Sequence, residues 1–166
     1  MVCSMIDQTA WVSELAIVEP GVTIGANSKV WEFSKVRAGA IIGSGVTIGL
    51  GVYIGPGVVI GQNCKIQNYA MIYDPAEIGD GVFIGPGAIL TNDKRPSAVL
   101  FDGKIKGASD WSPSKVILRD GASLGAGSIC VAPVVVGSHA LVGAGSVVTR
   151  DVPPSSVVVG VPAKSH

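Results

Sequence analysis

The sequence predicts an all-β fold: a coil of short parallel strands, three to a turn, wound around an Ile/Val axis. Three observations predict it. An aliphatic residue recurs every six positions. Glycine is abundant where each repeat turns. The residues that usually build a core are scarce: of 166 residues, 25 are Val, 16 are Ile and 23 are Gly, while aromatics make up only 5%. A period of six fits neither the 3.6 of a helix nor the simple alternation of a hairpin. It fits a short strand plus a corner, repeated.

From Ile6 the frame steps through Val12, Val18, Ile24, Val30, Val36, Ile42, Ile48, Ile54, Ile60, Ile66, Ile72, Ile78, Ile84 and Leu90, every one Val, Ile or Leu. Four residues after each of them through Ile84 stands a small residue or Val, among them Ala10, Val22, Ser28, Ala40, Cys64 and Ala88. The small residue belongs beside a corner, where space is least, and Gly at the turn tolerates backbone angles that other residues resist. Three units make a triangular turn of 18 residues, and successive turns stack at strand spacing, about 4.8 Å. The frame breaks after Leu90 and resumes, shifted, at Leu118, Leu124, Cys130, Val136, Val142 and Val148. The stretch 96–117, with Phe101, Trp111 and several charges, does not obey the repeat and reads as one extruded loop. A single domain is expected over 1–166: coils over 6–95 and 118–153, the loop 96–117, and a short C-terminal tail over 154–166.

Twelve basic residues balance twelve acidic ones. No net field favours a polyanion, so nucleic acid is not an expected partner. No apolar run approaches 18 residues, so no membrane span is expected. The start MVCSMIDQTAWVSE has neither a basic end nor an apolar core, so no signal peptide is expected. Cys3, Cys64 and Cys130 form no framework, which suggests free thiols in a reducing, cytoplasmic setting.

The repeating phrase Leu/Ile/Val-Gly-x-x-x-x, as in IGSGVT, IGLGVY, IGPGVV and IGQNCK, resembles the hexapeptide-repeat acyltransferases over roughly residues 6–164. The resemblance implies a left-handed parallel β-helix and a homotrimer with its active site between subunits. The closing stretch VGAGSVVTRDVPPSSVVVGVPAK is similar to that of family members that use acetyl-CoA, which makes acetyl-CoA the implied cosubstrate and requires no metal. GAGS occurs at 125–128 and again at 143–146, one turn apart, so Ala126 and Ala144 should stack and offer backbone amides. Thr149, Arg150 and Lys164 match family positions near the CoA phosphates, where charge-assisted hydrogen bonds are rewarded. GAGS also reads simply as a tight turn.

The run SKVWEFSKV, then NCKIQNYAMIYDPAEIGDGVFIGPGAILTNDKRP, resembles the sugar-nucleotide 3-N-acetyltransferases, which acetylate 3-amino sugars carried on UDP or dTDP. Glu32 and Lys35 stand where that family often has His. The triplet Thr91-Asn92-Asp93 resembles the branch of that family acting on dTDP-3-amino-3,6-dideoxyhexoses more than the branch acting on UDP-3-amino sugars. Asp74 and Asn92 are one turn apart and Asp93 follows, so these three are the candidate catalytic groups: two carboxylates and a carboxamide accept hydrogen bonds from an amine and from sugar hydroxyls. Asx and Pro are also ordinary corner residues. Gln67, Asn68, Tyr73, Trp31 and Phe33 are candidate substrate-binding residues, the last two equally suited to a trimer contact. His139 and His166 are the histidines of the chain, and His139 reads as an exposed corner rather than a general base.

Two histidines cannot supply the three that a γ-class carbonic anhydrase needs for zinc, and a β-helix nucleotidyltransferase would need an N-terminal domain. Acetylation of another small acceptor, and a non-enzymatic β-helix scaffold, remain the alternatives. Outward-facing valines, including Val59, Val131 and Val135, and a mean hydropathy of +0.50 favour closed association.

Overall fold

A computed structural model describes residues 4–166; Cys3 lies outside them. The chain forms two- and three-residue strands that alternate with corners. The strands stack into three sheets. The first holds Met5–Ile6, Thr23–Ile24, Ile41–Ile42, Val59–Ile60, Glu77–Ile78, Val116–Leu118 and Val134–Val136. The second begins with Trp11–Val12 and runs through Lys65–Ile66, Phe83–Ile84, Ser123–Leu124 and Leu141–Val142. The third runs from Ile17–Val18 through Tyr53–Ile54, Met71–Ile72, Ile89–Leu90 and Ile129–Cys130 to Val147–Val148. Pairing between coils is parallel, and before the loop its offset is 18, as in Met5↔Thr23 and Met71↔Ile89. This is the all-β parallel β-helix that the six-residue frame predicts.

Each two-residue strand sends its first side chain outward and its second to the axis. Ile24, Ile42, Ile48, Ile54, Ile60, Ile66, Ile72 and Ile84 are fully buried on the frame. The small row is buried beside them, from Val22 through Ala40, Cys64 and Ala70 to Ala88. Burying one Ile side chain is worth about 1.5–3 kcal/mol, so the frame row is the main source of cohesion. The buried Ser28 and Ser34 hydroxyls donate to the Gly43 and Gly49 carbonyls, at 2.9 and 2.7 Å, which removes the penalty of placing them in the small row. Cys64 and Cys130 are free and buried, and desolvation pushes the Cys130 thiol up to about 12.

Val59, Val131 and Val135 face outward, Val59 exposed and the other two half-buried. The last strand before the excursion ends at Leu90, and the helix resumes at Val116, two residues ahead of the sequence boundary, because Val116 is already buried against Val134. Ile78 pairs with Leu118 across the loop. The loop is ordered by an antiparallel bridge between Val99 and Ile105 and a short 3-10 turn over Ala108–Asp110. The C-terminal tail is more than a tail. Val157–Val159 continue the second sheet, and Lys164–Ser165 fold back antiparallel on them and close that end. Among the described residues, no helix is long and apolar enough to cross a membrane.

Candidate functional site

The corners carry the candidate residues, so their backbone decides what those residues can do. A corner has three outward positions between a frame residue and the next small residue. The first N–H continues the strand ladder, as Gly43 to Ile60 at 2.8 Å. The third N–H reaches back to the second residue of the preceding turn, as Gly45 to Ala26 and Gly145 to Ala126, both 2.8 Å. The second N–H is the one the backbone leaves over. Some turns satisfy it with a side chain from a neighbouring turn. Asn68 Oδ1 accepts from Leu50 N–H at 3.0 Å, Asp80 Oδ1 from Gln62 N–H at 2.7 Å, and Asp120 Oδ1 from Asp80 N–H at 2.9 Å.

Ala126 and Ala144 occupy this second position on successive turns, after Ser123–Leu124 and Leu141–Val142. Both are exposed, and among the described residues neither N–H has an acceptor. Their methyl groups cannot cap each other's amides, so two parallel donors face solvent about 4.8 Å apart. Ala26 and Ser44 share this freedom at the corner after the first sheet. The Ala126 corner differs in bordering the third sheet, whose outward row of Tyr53, Met71, Ile89, Ile129 and Val147 is half-buried.

The opposite edge of that same face carries the polar candidates. Asp74 and Asn92 follow Ile72 and Leu90, which are paired, and Tyr73 N–H donates to Leu90 at 3.2 Å; continuing the register sets Asp74 beside Asn92. Both are half-buried, and neither side chain has a hydrogen-bond partner among the described residues. Asp74 Oδ1 lies 3.0 Å from where a Cβ on Gly55 would stand, so glycine there makes room for the carboxylate. Asp93 is placed differently. It accepts from Arg95 N–H at 2.7 Å and pairs with Lys106 at 3.1 Å. The Arg95 hydrogen bond first, then Lys106, hold its carboxyl below the ordinary value. Lys106 in turn sits 5.6 Å over the Trp111 ring, and Ser114 N–H donates to the Asn92 carbonyl at 2.7 Å. Asp93 thus fastens the loop beside Asn92.

The other candidates divide between the two edges. Gln67, Asn68, Trp31 and Phe33 lie on the Ala126 corner, with Trp31 edge-on to Trp11 at 5.1 Å. Tyr73 lies on the Asp74 edge and packs against Tyr53 at 5.2 Å. Thr149 and Arg150 are exposed at the end of the Asp74 edge, while Lys164 lies opposite Val159, at the end of the Ala144 column. His139 is on the corner after the first sheet, away from both edges, its N–H on the Asp120 carbonyl at 3.0 Å. Among the described residues, no group of three His, Cys, Asp or Glu could hold a metal.

Sequence reasoning missed Arg37, Tyr53 and Tyr69. Arg37 Nε lies 2.7 Å from Glu19, and its Nη1 lies 3.3 Å from the Tyr53 hydroxyl. No local motif marks that cluster. Tyr69 was findable, because it fills a third corner position where the frame otherwise places mostly glycine or asparagine.

The sequence matches the bacterial transferase hexapeptide family (six repeats) over residues 57–92. It also matches the hexapeptide repeat of succinyl-transferase over 36–73 and 116–150. The chain carries the bacterial transferase hexapeptide repeat. No curated protein matches the sequence. Among solved structures, the hexapeptide-repeat chain is similar to two single-residue variants of AntD, an N-acyltransferase from Bacillus cereus in complex with dTDP-4-amino-4,6-dideoxyglucose and coenzyme A. Both are 24% identical; the superpositions cover 99% of this chain and 82% or 83% of AntD, with TM-scores of 0.68 and 0.64. It is also similar to a hexapeptide transferase family protein from Anaplasma phagocytophilum, 22% identical, covering 99% of this chain and 78% of that one, with a TM-score of 0.51. At these identities the likeness is one of fold.

Proposed function

We propose that this hexapeptide-repeat chain is an acetyl-CoA-dependent N-acetyltransferase whose acceptor is the amino group of a nucleotide-linked amino sugar. The observation that carries the reading is the pair of stacked, unpartnered amides at Ala126 and Ala144. Two donors at strand spacing suit the carbonyl acceptors along a pantetheine arm. The ligand named for AntD supports the acceptor class.

Acetyl-CoA supplies an acetyl group activated as a thioester. The Asp74 carboxylate and Asn92 carboxamide accept hydrogen bonds from the acceptor amine and aim its lone pair at the thioester carbonyl. A corner N–H donates to the oxygen that becomes negative as the C–N bond forms. The C–S bond then breaks, the thiolate leaves, and the amine's surplus proton passes to it or to water. The nearby carboxylate raises the amine's pKa, which strengthens binding but opposes the free nucleophile.

The site is completed by a second copy. On one chain the two edges flank a flat apolar face rather than enclose a hollow. Larger concavities lie elsewhere, one of about 530 Å³ between Arg119, Val135, Ser138 and Pro153. Closing a homotrimer on the third-sheet face would cover Met71, Ile89 and Ile129 and bring one chain's Ala126 edge to its neighbour's Asp74 edge. The finer assignment is the 3-amino group of a dTDP-linked dideoxyhexose over a UDP-linked sugar, resting on Thr91-Asn92-Asp93. AntD's ligand, a dTDP-4-amino sugar, gives the competing position.

A panel of dTDP- and UDP-linked 3- and 4-amino sugars decides among these acceptors. Calorimetry with CoA separates the enzyme from a scaffold, which would show no affinity. Asp74→Ala or Asn92→Ala should lower kcat/KM about 10- to 150-fold, since one hydrogen bond to a charged partner is worth roughly 1.5–3 kcal/mol. CoA affinity and folding should barely change. The assignment fails if both variants turn over like wild type while His139→Ala is dead.

A further inference from the structure

The third corner position adopts the left-handed backbone, and glycine fills it at Gly39, Gly45, Gly51, Gly57 and Gly81, among others. Asn27 and Asn63 fill it too, as the residue type best able to tolerate it after glycine. Two bulky aromatics do so as well: Phe33 at φ 59° and Tyr69 at φ 60°. Such a backbone disfavours a large side chain and persists where something else is gained. Packing is not the gain, because Phe33 is 66% and Tyr69 61% exposed.

Both lie on the Ala126 corner, with only Gly51 between them in the column. The Tyr69 ring lies back over Gly51: its Cδ1 and Cε1 stand 2.7 Å from where a Cβ on that glycine would be. Glycine there leaves the bed in which the ring rests. The two residues before Tyr69 on this corner carry carboxamides. Gln67 has no side-chain partner among the described residues. Asn68 commits Oδ1 to Leu50 N–H at 3.0 Å, which fixes the side chain and leaves its NH₂ group free to donate. An exposed ring face flanked by carboxamides is complementary to a nucleobase: the ring stacks on the base, and the amides match its alternating C=O and N–H edge.

We propose that Tyr69, laid over Gly51 and flanked by Gln67 and Asn68, is the platform that holds the nucleobase of the nucleoside diphosphate carrier. The assignment rests on the acceptor class proposed above and names which residue reads the carrier rather than the sugar.

The test titrates dTDP and UDP into the full-length chain by calorimetry and measures KM for a nucleotide-linked amino sugar against the same amino sugar 1-phosphate, which lacks the base. Tyr69→Asn should weaken the nucleoside diphosphate about 10-fold or more, by loss of base stacking. It should raise KM for the nucleotide-linked sugar, leave KM for the sugar phosphate and CoA affinity unchanged, and raise the melting temperature by relieving backbone strain. Tyr69→Phe, which keeps the ring, should restore affinity. Gly51→Ala, which keeps the tyrosine but displaces its ring, should weaken nucleotide binding as Tyr69→Asn does. Unchanged nucleotide affinity in Tyr69→Asn overturns the proposal, as does a wild-type chain that binds neither dTDP nor UDP. A chain that binds nucleotide through Tyr69 but acetylates no nucleotide-linked amino sugar refutes the proposed acceptor and leaves the platform standing.

Discussion

Two pairs of successive turns in this helix, one on each of two corners, have the same backbone and opposite chemistry. After the first sheet, Gln62 N–H is taken by Asp80 and Asp80 N–H by Asp120. After the second sheet, Ala126 and Ala144 have the same N–H groups and no side chain to take them. The comparison isolates what one side chain decides. A carboxylate or carboxamide one turn along closes the amide and stabilises the stack. A methyl group leaves the donor open for a ligand. A second requirement travels with closure: Gly61 and Gly79 lie directly under the capping carboxylates, 2.3 and 2.2 Å from where a Cβ would be. Gly125 provides the same clearance next to Ala126, so there is room there for a cap that Ala144 does not supply.

The largest effect should come from removing that clearance. A Cβ on Gly125 would meet Ala144 N at 2.4 Å, which is backbone and cannot swing aside. Gly125→Ala should therefore displace the Ala144 amide, cost about 1–3 kcal/mol in denaturant unfolding as an overpacked contact, and abolish measurable CoA binding. Gly127→Ala, a positive-φ position with open space around it, should cost about 1 kcal/mol and keep CoA affinity.

A cleaner conversion is Ala144→Asn. Its side chain should cap Ala126 N–H as Asn68 caps Leu50 lower on the same corner. We expect CoA affinity to fall about 10-fold or more by calorimetry, from one lost donor, with stability equal to or above wild type. A variant that still binds CoA like wild type would show that the Ala126 amide is not a ligand contact. The reverse change is the smallest: Asp120→Ala should uncover Asp80 N–H, cost about 1 kcal/mol in the same unfolding assay because the group is solvent-accessible, and leave CoA binding untouched.

The frame was legible because burial acts on side-chain type at every sixth position. Ile60, Ile66 and Ile72 each repeat the same requirement, so the fold and the stacking of Ala126 on Ala144 could be read by counting. The register of Asp74 with Asn92 was legible for the same reason. What Asp93 does was not. Its partner Lys106 lies inside the loop that breaks the frame, and no period says where a loop residue returns. Tyr69 was missed for a different reason. Its meaning lies in a backbone angle and in a glycine one turn away, and neither shows in a reading of side-chain chemistry alone. The split of Gln67 and Tyr73 onto opposite edges of one face follows from the corner geometry and not from their closeness in sequence.

The excursion between Leu90 and Val116 has a consequence for how such a molecule could be diversified. Glu77 pairs with Ile117, an offset of 40, where every uninterrupted pairing in that sheet is offset by 18. The ladder closes over the break without regard to how many residues were spent outside it. The entropy of closing a loop grows only logarithmically with its length. The scaffold therefore treats this segment as an interchangeable cassette, anchored at one hinge by Asp93 and Asn92 and free in length. Swapping it for another sequence would alter what stands above the Asn92 edge while leaving the β-helix, and the donors on its other edge, as they are.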